Sequence, residues 1–418
     1  MTRTRAALVT AAAALAFLGS WALLHHSFWG RHQLVDTPVY ERYGDAMAGG
    51  QVPYRDFALE YPPGALVAFA APELTAARGN FGDYGHAFEK WMAGCGVALV
   101  VFVGLALYLL RASLLRAAAA LALVAFSPLL LGNVMLSRFD LFPAALTAAA
   151  LAALFAEWNL AAAVVLGLAV SVKLYPVVLF PVAAIWLWRR DGSNVALRWL
   201  GAAGATTLAV FLPFVVLSPG GVAHSLGEQL GRPDQIESLP AAILLAAHQL
   251  GGFALHTSGS HGSLNLVGRT ATALGVASTI VGLAGLAAVW ASFARAPMSR
   301  DRLATAAAAS LAIVVAFSRV FSPQFALWLL PVVALVADAT AGAVLAAALV
   351  LTQLWFPNRY WELALHQPAL ESWLVVARDV LVVALAAVLL RPLLQNGRLG
   401  ERRPAREPLE PVRRQVEA

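Results

Sequence analysis

No charged residue interrupts the chain from Ala6 to Leu24, and apolar runs of this kind recur almost to the C-terminal end. A soluble core has no room for so much hydrocarbon. Charged residues are 12% of the 418, against roughly 25% in soluble domains, and mean hydropathy is +0.72. The runs lack the period-two alternation of a membrane barrel, so an all-α polytopic membrane protein is expected. Apolar spans are expected near 6–24, 88–110, 117–131, 140–156, 160–173, 176–188, 199–217, 269–293, 303–317, 324–337, 340–356 and 373–390, about twelve in all. Several fall short of the ~20 residues a straight crossing needs, which implies broken, re-entrant or protein-buried helices.

The basic residues orient this array. With the N-terminus inside, 17 of the 29 Lys and Arg fall on cytoplasmic segments, including the tail from Arg391 to Arg414. The first span is read as uncleaved, with Arg3 and Arg5 at its cytoplasmic end. A polytopic domain over 1–391 is expected, followed by a basic, disordered cytoplasmic tail over 392–418. The net charge of +6 does not point to nucleic acid, because the Arg residues sit in short connections beside apolar spans. The one cysteine, Cys95, allows no internal disulfide and reads as a small buried hydrophobe. The scattered His residues lack ligand spacing, and no nucleotide or metalloprotease motif occurs, so neither a metal nor a cofactor is expected.

Two long polar stretches then lie on the non-cytoplasmic side, a first outer loop over 25–64 and a second over 218–268. The first carries Asp36, Asp45, Asp56 and Glu60 and ends in Tyr61-Pro62-Pro63. Asp36 before Thr37-Pro38 has two readings, a helix cap or a base facing a site. Glu60, held by the Pro-Pro turn, suits a base, a cation ligand or a salt-bridge partner, whereas Asp45 and Asp56 read as solvated. Three further outer turns carry a cation each, at Arg138-Phe139-Asp140, Lys173-Leu174-Tyr175-Pro176 and Ser318-Arg319. Such charges cost about 2.5–3.5 kcal/mol each at membrane depth unless paired or solvated. They read either as structural pairs or as an anion clamp. Ser322 is placed to cap the helix that Pro323-Gln324 starts. A last outer turn, Arg359-Tyr360-Trp361, reads as an interfacial aromatic belt. Cations suit a phosphate, carboxylates suit proton abstraction from a hydroxyl, and apolar spans suit a long hydrocarbon tail.

The ordered set Asp36…Val39-Tyr40, Gly50…Pro53-Tyr54, Glu60-Tyr61-Pro62-Pro63, Arg138-Phe139-Asp140, Lys173-Leu174-Tyr175-Pro176 and Ser322-Pro323-Gln324…Trp328…Pro331 resembles glycosyltransferase family 87. This is an actinobacterial group of membrane mannosyltransferases that use polyprenyl-phosphate sugars. The resemblance runs from about residue 30 to about 335. It implies a GT-C fold, with short juxtamembrane helices in the first outer loop, and places the family's essential acid on Asp36 as general base. It implies a polyprenyl-phosphate-mannose donor, an inverting attack, and a glycolipid or polysaccharide acceptor. Arg138, Lys173 and Arg319 would then face the leaving phosphate, with Tyr40, Glu60, Tyr61, Asp140, Tyr175 and Gln324 as further substrate contacts. Thr37-Pro38 and the large second loop depart from the family pattern and leave the acceptor open. Two rival readings fit the same residues, a polyprenyl-phosphate-arabinose enzyme and a non-enzymatic transporter of lipid phosphate or polysaccharide.

Overall fold

The structure is a computed structural model and describes residues 1–26, 36–76 and 79–395. Residues 27–35 of the first polar loop and 396–418 of the tail expected to be disordered lie outside the described residues, while 392–394, at the start of that tail, continue the last helix. The architecture is all-α apart from a three-stranded antiparallel sheet of short strands, Asp234–Gln235, Thr257–Ser260 and Ser263–Leu266, with the last in the middle.

Among the described residues, five helices are long and apolar enough to cross a bilayer: Arg3–His26, Phe81–Leu109, Ser193–Leu217, Arg269–Arg295 and Ala369–Leu394. A sixth crossing arises if Ala339–Trp355 and Tyr360–His366, bent by 74°, count as one. Not all of the expected spans are long unbroken helices. Several expected spans are shorter, such as Leu114–Ala125, Leu141–Phe155 and Asn159–Val172. The break after Leu114–Ala125 comes at Ser127-Pro128, and further short turns open at Pro176 and Pro323. Proline removes a helix donor, so each break needs protein around it to satisfy the freed backbone. That cover is present. Leu141–Phe155 and Ala326–Val336 are buried along most of their length.

The long helices behave in the opposite way. Only 6% of the most apolar stretch of Ser193–Leu217 is buried, and Leu208, Leu212 and Val216 stand exposed. Val276, Ile280 and Leu283 do the same on Arg269–Arg295. Apolar faces of this extent are stable against lipid tails, not water. The chain is a multi-pass membrane protein.

Helix starts follow local chemistry. Asn80 accepts from the Gly82 and Asp83 N–H groups, Ser113 from Arg116, Ser299 from Arg302 and Asp338 from Ala341. Gly192 turns sharply at φ +94° between Leu179–Asp191 and Ser193–Leu217, a left-handed conformation that glycine adopts without strain. The helix before it ends on Arg189 and Arg190, which suits the negative end of the helix dipole.

The first polar loop is folded. The helix Thr37–Ala48 leads to a turn in which Asp56 accepts from the Val52 N–H at 2.7 Å and pairs with Arg55 at 2.9 Å. These contacts hold the Asp56 carboxyl down at about 2. The return passes through Tyr61-Pro62-Pro63 into Leu66–Glu73. Gly64 sits against the helix Asn159–Val172. A Cβ there would lie 2.6 Å from the Ser171 carbonyl carbon and 2.7 Å from its oxygen. Gly64→Ala is expected to cost about 1–3 kcal/mol through backbone displacement. The unfolding midpoint of the detergent-solubilised protein checks it, and an unchanged midpoint would refute the close approach.

The second polar stretch is equally ordered. It forms the helices Pro219–Leu230 and Leu239–Gly251 as well as the sheet. Leu239–Gly251 buries Ala241, Ala242, Leu244 and Leu245 and packs on Ala369–Leu394. The two polar stretches are tied together: Ser218 donates to the Tyr54 carbonyl at 3.0 Å and the Gln229 amide to the Glu60 carbonyl at 2.7 Å.

Candidate active site

A cavity of about 610 Å³ opens where these two stretches meet. Its wall includes Asp36, Glu60, Tyr61, Arg138, Arg232, Glu237, Gln324 and Tyr360.

Asp36 occupies the N-cap position of Thr37–Ala48 but makes no capping hydrogen bond with its side chain. Pro38 is one reason: it has no N–H to offer at the second helical position. The carboxylate instead pairs with the Arg138 guanidinium, and the Tyr40 hydroxyl donates to it at 3.3 Å. The side chain therefore lines the cavity rather than capping the helix. Tyr40 itself is buried, stacked on Phe69 at 4.7 Å and edge-on to Phe139 at 5.6 Å. Tyr61 joins that aromatic cluster, edge-on to Phe139 at 5.0 Å, and its carbonyl accepts from the Tyr54 hydroxyl at 2.6 Å. The Pro-Pro turn therefore presents Glu60 and Tyr61 on a rigid aromatic base.

The three cations grouped by the sequence divide here. Arg138, 7% exposed, reaches the cavity wall. Lys173 turns away into the protein. Its ammonium lies 2.5 Å from the Asp140 carboxylate and over the rings of Phe139 (4.7 Å) and Trp328 (5.3 Å). The Trp328 indole N–H also donates to Asp140, at 2.6 Å. Tyr175 stacks on Trp328 at 4.3 Å, with its hydroxyl 3.2 Å from that of Thr147. Asp140, Lys173 and Tyr175 thus pack together around Trp328, away from the cavity wall. Arg319 pairs with the buried Asp234 at 2.6 Å and does not line the cavity. Ser322, expected to cap the following helix, makes no cap bond. It exchanges hydrogen bonds with the Gln235 amide at 2.8 and 3.2 Å. Gln324 does reach the cavity.

The second polar stretch supplies groups the sequence reading passed over. Arg232 lines the cavity, held by one nitrogen that donates to the His261 carbonyl at 3.0 Å and the Ser263 hydroxyl at 3.1 Å. Glu237 is 1% exposed and lines the same wall. Burial pushes its carboxyl up to about 8, although Arg378, Arg138 and Arg232 each pull it down. Tyr360 and Trp361, expected as an interfacial belt, also stand at the cavity. A signal for this segment was present: Arg232-Pro233-Asp234-Gln235-Ile236-Glu237 breaks an apolar chain as sharply as the first loop does.

Arg378, which falls inside the last apolar span, is fully buried rather than facing lipid. It pairs with Asp379 at 2.8 Å, donates to the Glu237 carbonyl at 2.5 Å and stacks on Phe321 at 3.8 Å. A charge at that depth is tolerated when paired inside the protein. No group of three or more His, Cys, Asp or Glu placed to hold a metal ion occurs among the described residues.

The wall therefore combines a carboxylate that can accept a proton with two guanidiniums that can hold an anion through paired N–H groups.

No curated protein matches the chain. Among solved structures, it is similar to the crystal structure of ArnT from Cupriavidus metallidurans bound to undecaprenyl phosphate. The identity is 16%, the match covers 95% of this chain and 79% of that chain, and the TM-score is 0.49. The family model for glycosyltransferase family 87 matches residues 59–323, beginning after Asp36 and ending at Pro323. That is more than half of the 418 residues, and the protein belongs to glycosyltransferase family 87.

Proposed function

We propose that this membrane glycosyltransferase, of the GT-C type, moves a sugar from a polyprenyl-phosphate donor to a hydroxyl of a lipid-linked or polysaccharide acceptor. The donor sugar is mannose, as the family resemblance implies. The observation that carries the reading is the Asp36–Arg138 pair at the cavity wall, a proton acceptor and an anion holder in direct contact.

The phosphate of the donor competes with Asp36 for the Arg138 guanidinium and finds Arg232 on the same wall. Asp36, released from Arg138, accepts the proton of the acceptor hydroxyl. The acceptor oxygen bonds to the anomeric carbon from the face opposite the phosphate. The bond from that carbon to the phosphate oxygen breaks, its electron pair leaves with the polyprenyl phosphate, and configuration inverts. Positive charge gathers on the sugar ring in the transition state, as in glycoside hydrolysis. The guanidiniums take up negative charge as it grows on the leaving oxygen, where fixed donors act most strongly. Glu60 and Tyr61 stand at the mouth as acceptor contacts. Charge counting puts the cavity on the non-cytoplasmic face, with both termini cytoplasmic.

Purified protein in liposomes, given radiolabelled polyprenyl-phosphate-mannose and envelope glycolipid, is expected to label the glycolipid without any nucleotide sugar. Labelling from polyprenyl-phosphate-arabinose alone would replace mannose by arabinose. Labelling from neither would overturn the donor class.

A further inference from the structure

Three guanidiniums surround Glu237: Arg138, Arg232 and Arg378. Two of them already have carboxylate partners, since Asp36 pairs with Arg138 and Asp379 with Arg378. Arg232 is held by the His261 carbonyl and the Ser263 hydroxyl, and the acids acting on it are Glu60 and Glu237, both on the cavity wall. Neither carboxyl oxygen of Glu237 has a hydrogen-bond partner among the described residues. A buried carboxylate without hydrogen bonds sheds its charge readily, because burial penalises the charged form. A phosphate diester entering beside Arg232 brings one further negative charge into this wall. Two anions close together in a buried site cannot both stay ionised at modest cost.

We propose that Glu237 must be neutral for the donor phosphate to bind, so that anion and proton enter the cavity together. This rests on the reading that the cavity holds a phosphate diester. Of the groups acting on Glu237, the arginines remain cationic and Tyr360 is held protonated by burial. Asp379, paired with Arg378, and His261, which lines the same cavity, are further titratable neighbours. Lys173 interacts with Asp140, Arg138 and Arg232.

The sign follows from linkage. The bound state carries the protonated carboxyl. Affinity is therefore complete below the free protein's value of about 8 and falls above it. The loss approaches about tenfold for each further pH unit.

The probe is the monomethyl ester of a polyprenyl phosphate, a single-charge diester with no sugar, titrated into the full-length protein in lipid nanodiscs. Calorimetry in buffers of different ionisation enthalpy is expected to show uptake of close to one proton at about pH 9 and little at about pH 6.5. Glu237→Gln, which mimics the neutral acid, is expected to bind with no uptake and with a flat pH profile. Asp379, His261 and Lys173 are unchanged in both proteins, so a shared slope would belong to one of them and overturn the proposal. Binding without proton uptake at about pH 9 would overturn it too, and the wild-type measurement stands even if the variant does not fold. No binding at any pH would instead overturn the phosphate reading itself.

Discussion

Asp36→Asn is expected to lower the turnover of sugar transfer by about 10²–10⁴-fold, the contribution of a positioned general base. The substitution keeps the shape of the side chain and removes only its capacity to take a proton. Donor binding should survive, because Arg138 loses its resident competitor and stays available to the phosphate. The two effects separate in one experiment: single-turnover transfer from labelled donor in liposomes, beside donor binding measured without acceptor. Asp56→Asn serves as comparator, since that carboxylate is exposed, closes a local turn with Arg55 and Val52, and lies away from the cavity. Turnover of Asp36→Asn within twofold of the parent would remove Asp36 from the chemistry. A loss of donor binding equal to the loss of turnover would make it a binding residue instead.

The buried pair of Asp140 and Lys173 gives the second large effect. Asp140 is fully buried and holds both the Lys173 ammonium at 2.5 Å and the Trp328 N–H at 2.6 Å. Asp140→Ala strands that ammonium among aromatic rings and is expected to cost about 3–5 kcal/mol of stability. Lys173→Met in the same chain removes the stranded charge, and the double variant should recover most of the loss. Denaturant midpoints in detergent for the parent, the two single variants and the double one complete the cycle. Additive losses would show that the pair is not coupled. The same double variant tests the donor clamp. If Lys173 reaches the donor phosphate during the reaction, stability returns but donor binding does not.

The membrane character, the helical class and the importance of both polar stretches were legible in the residues because hydropathy and charge are local properties. The number of full crossings was not, since run length alone cannot tell a span from a short helix wrapped in protein such as Leu141–Phe155. The anion clamp shows the same limit more sharply. Arg138, Lys173 and Arg319 share one pattern in sequence, a cation at a helix end. Their fates depend on partners 102, 33 and 85 positions away, namely Asp36, Asp140 and Asp234. No local rule reaches that far. Arg232 and Glu237 were overlooked because the polar run from Arg232 to Glu237, though visible, does not show locally that it folds against the first loop; the sheet and the Tyr360 segment meet it at the cavity.

What the sequence determined by itself was a chain that must cross a bilayer as helices, its family resemblance, and an acid at position 36 followed by a proline. The tertiary structure decided what that acid touches. It also decided which cations are used up in buried pairs and which stand at the cavity. The physical reason is that a charge out of water must find an opposite charge or a hydrogen-bonding group, and which one it finds is settled by packing across the whole chain.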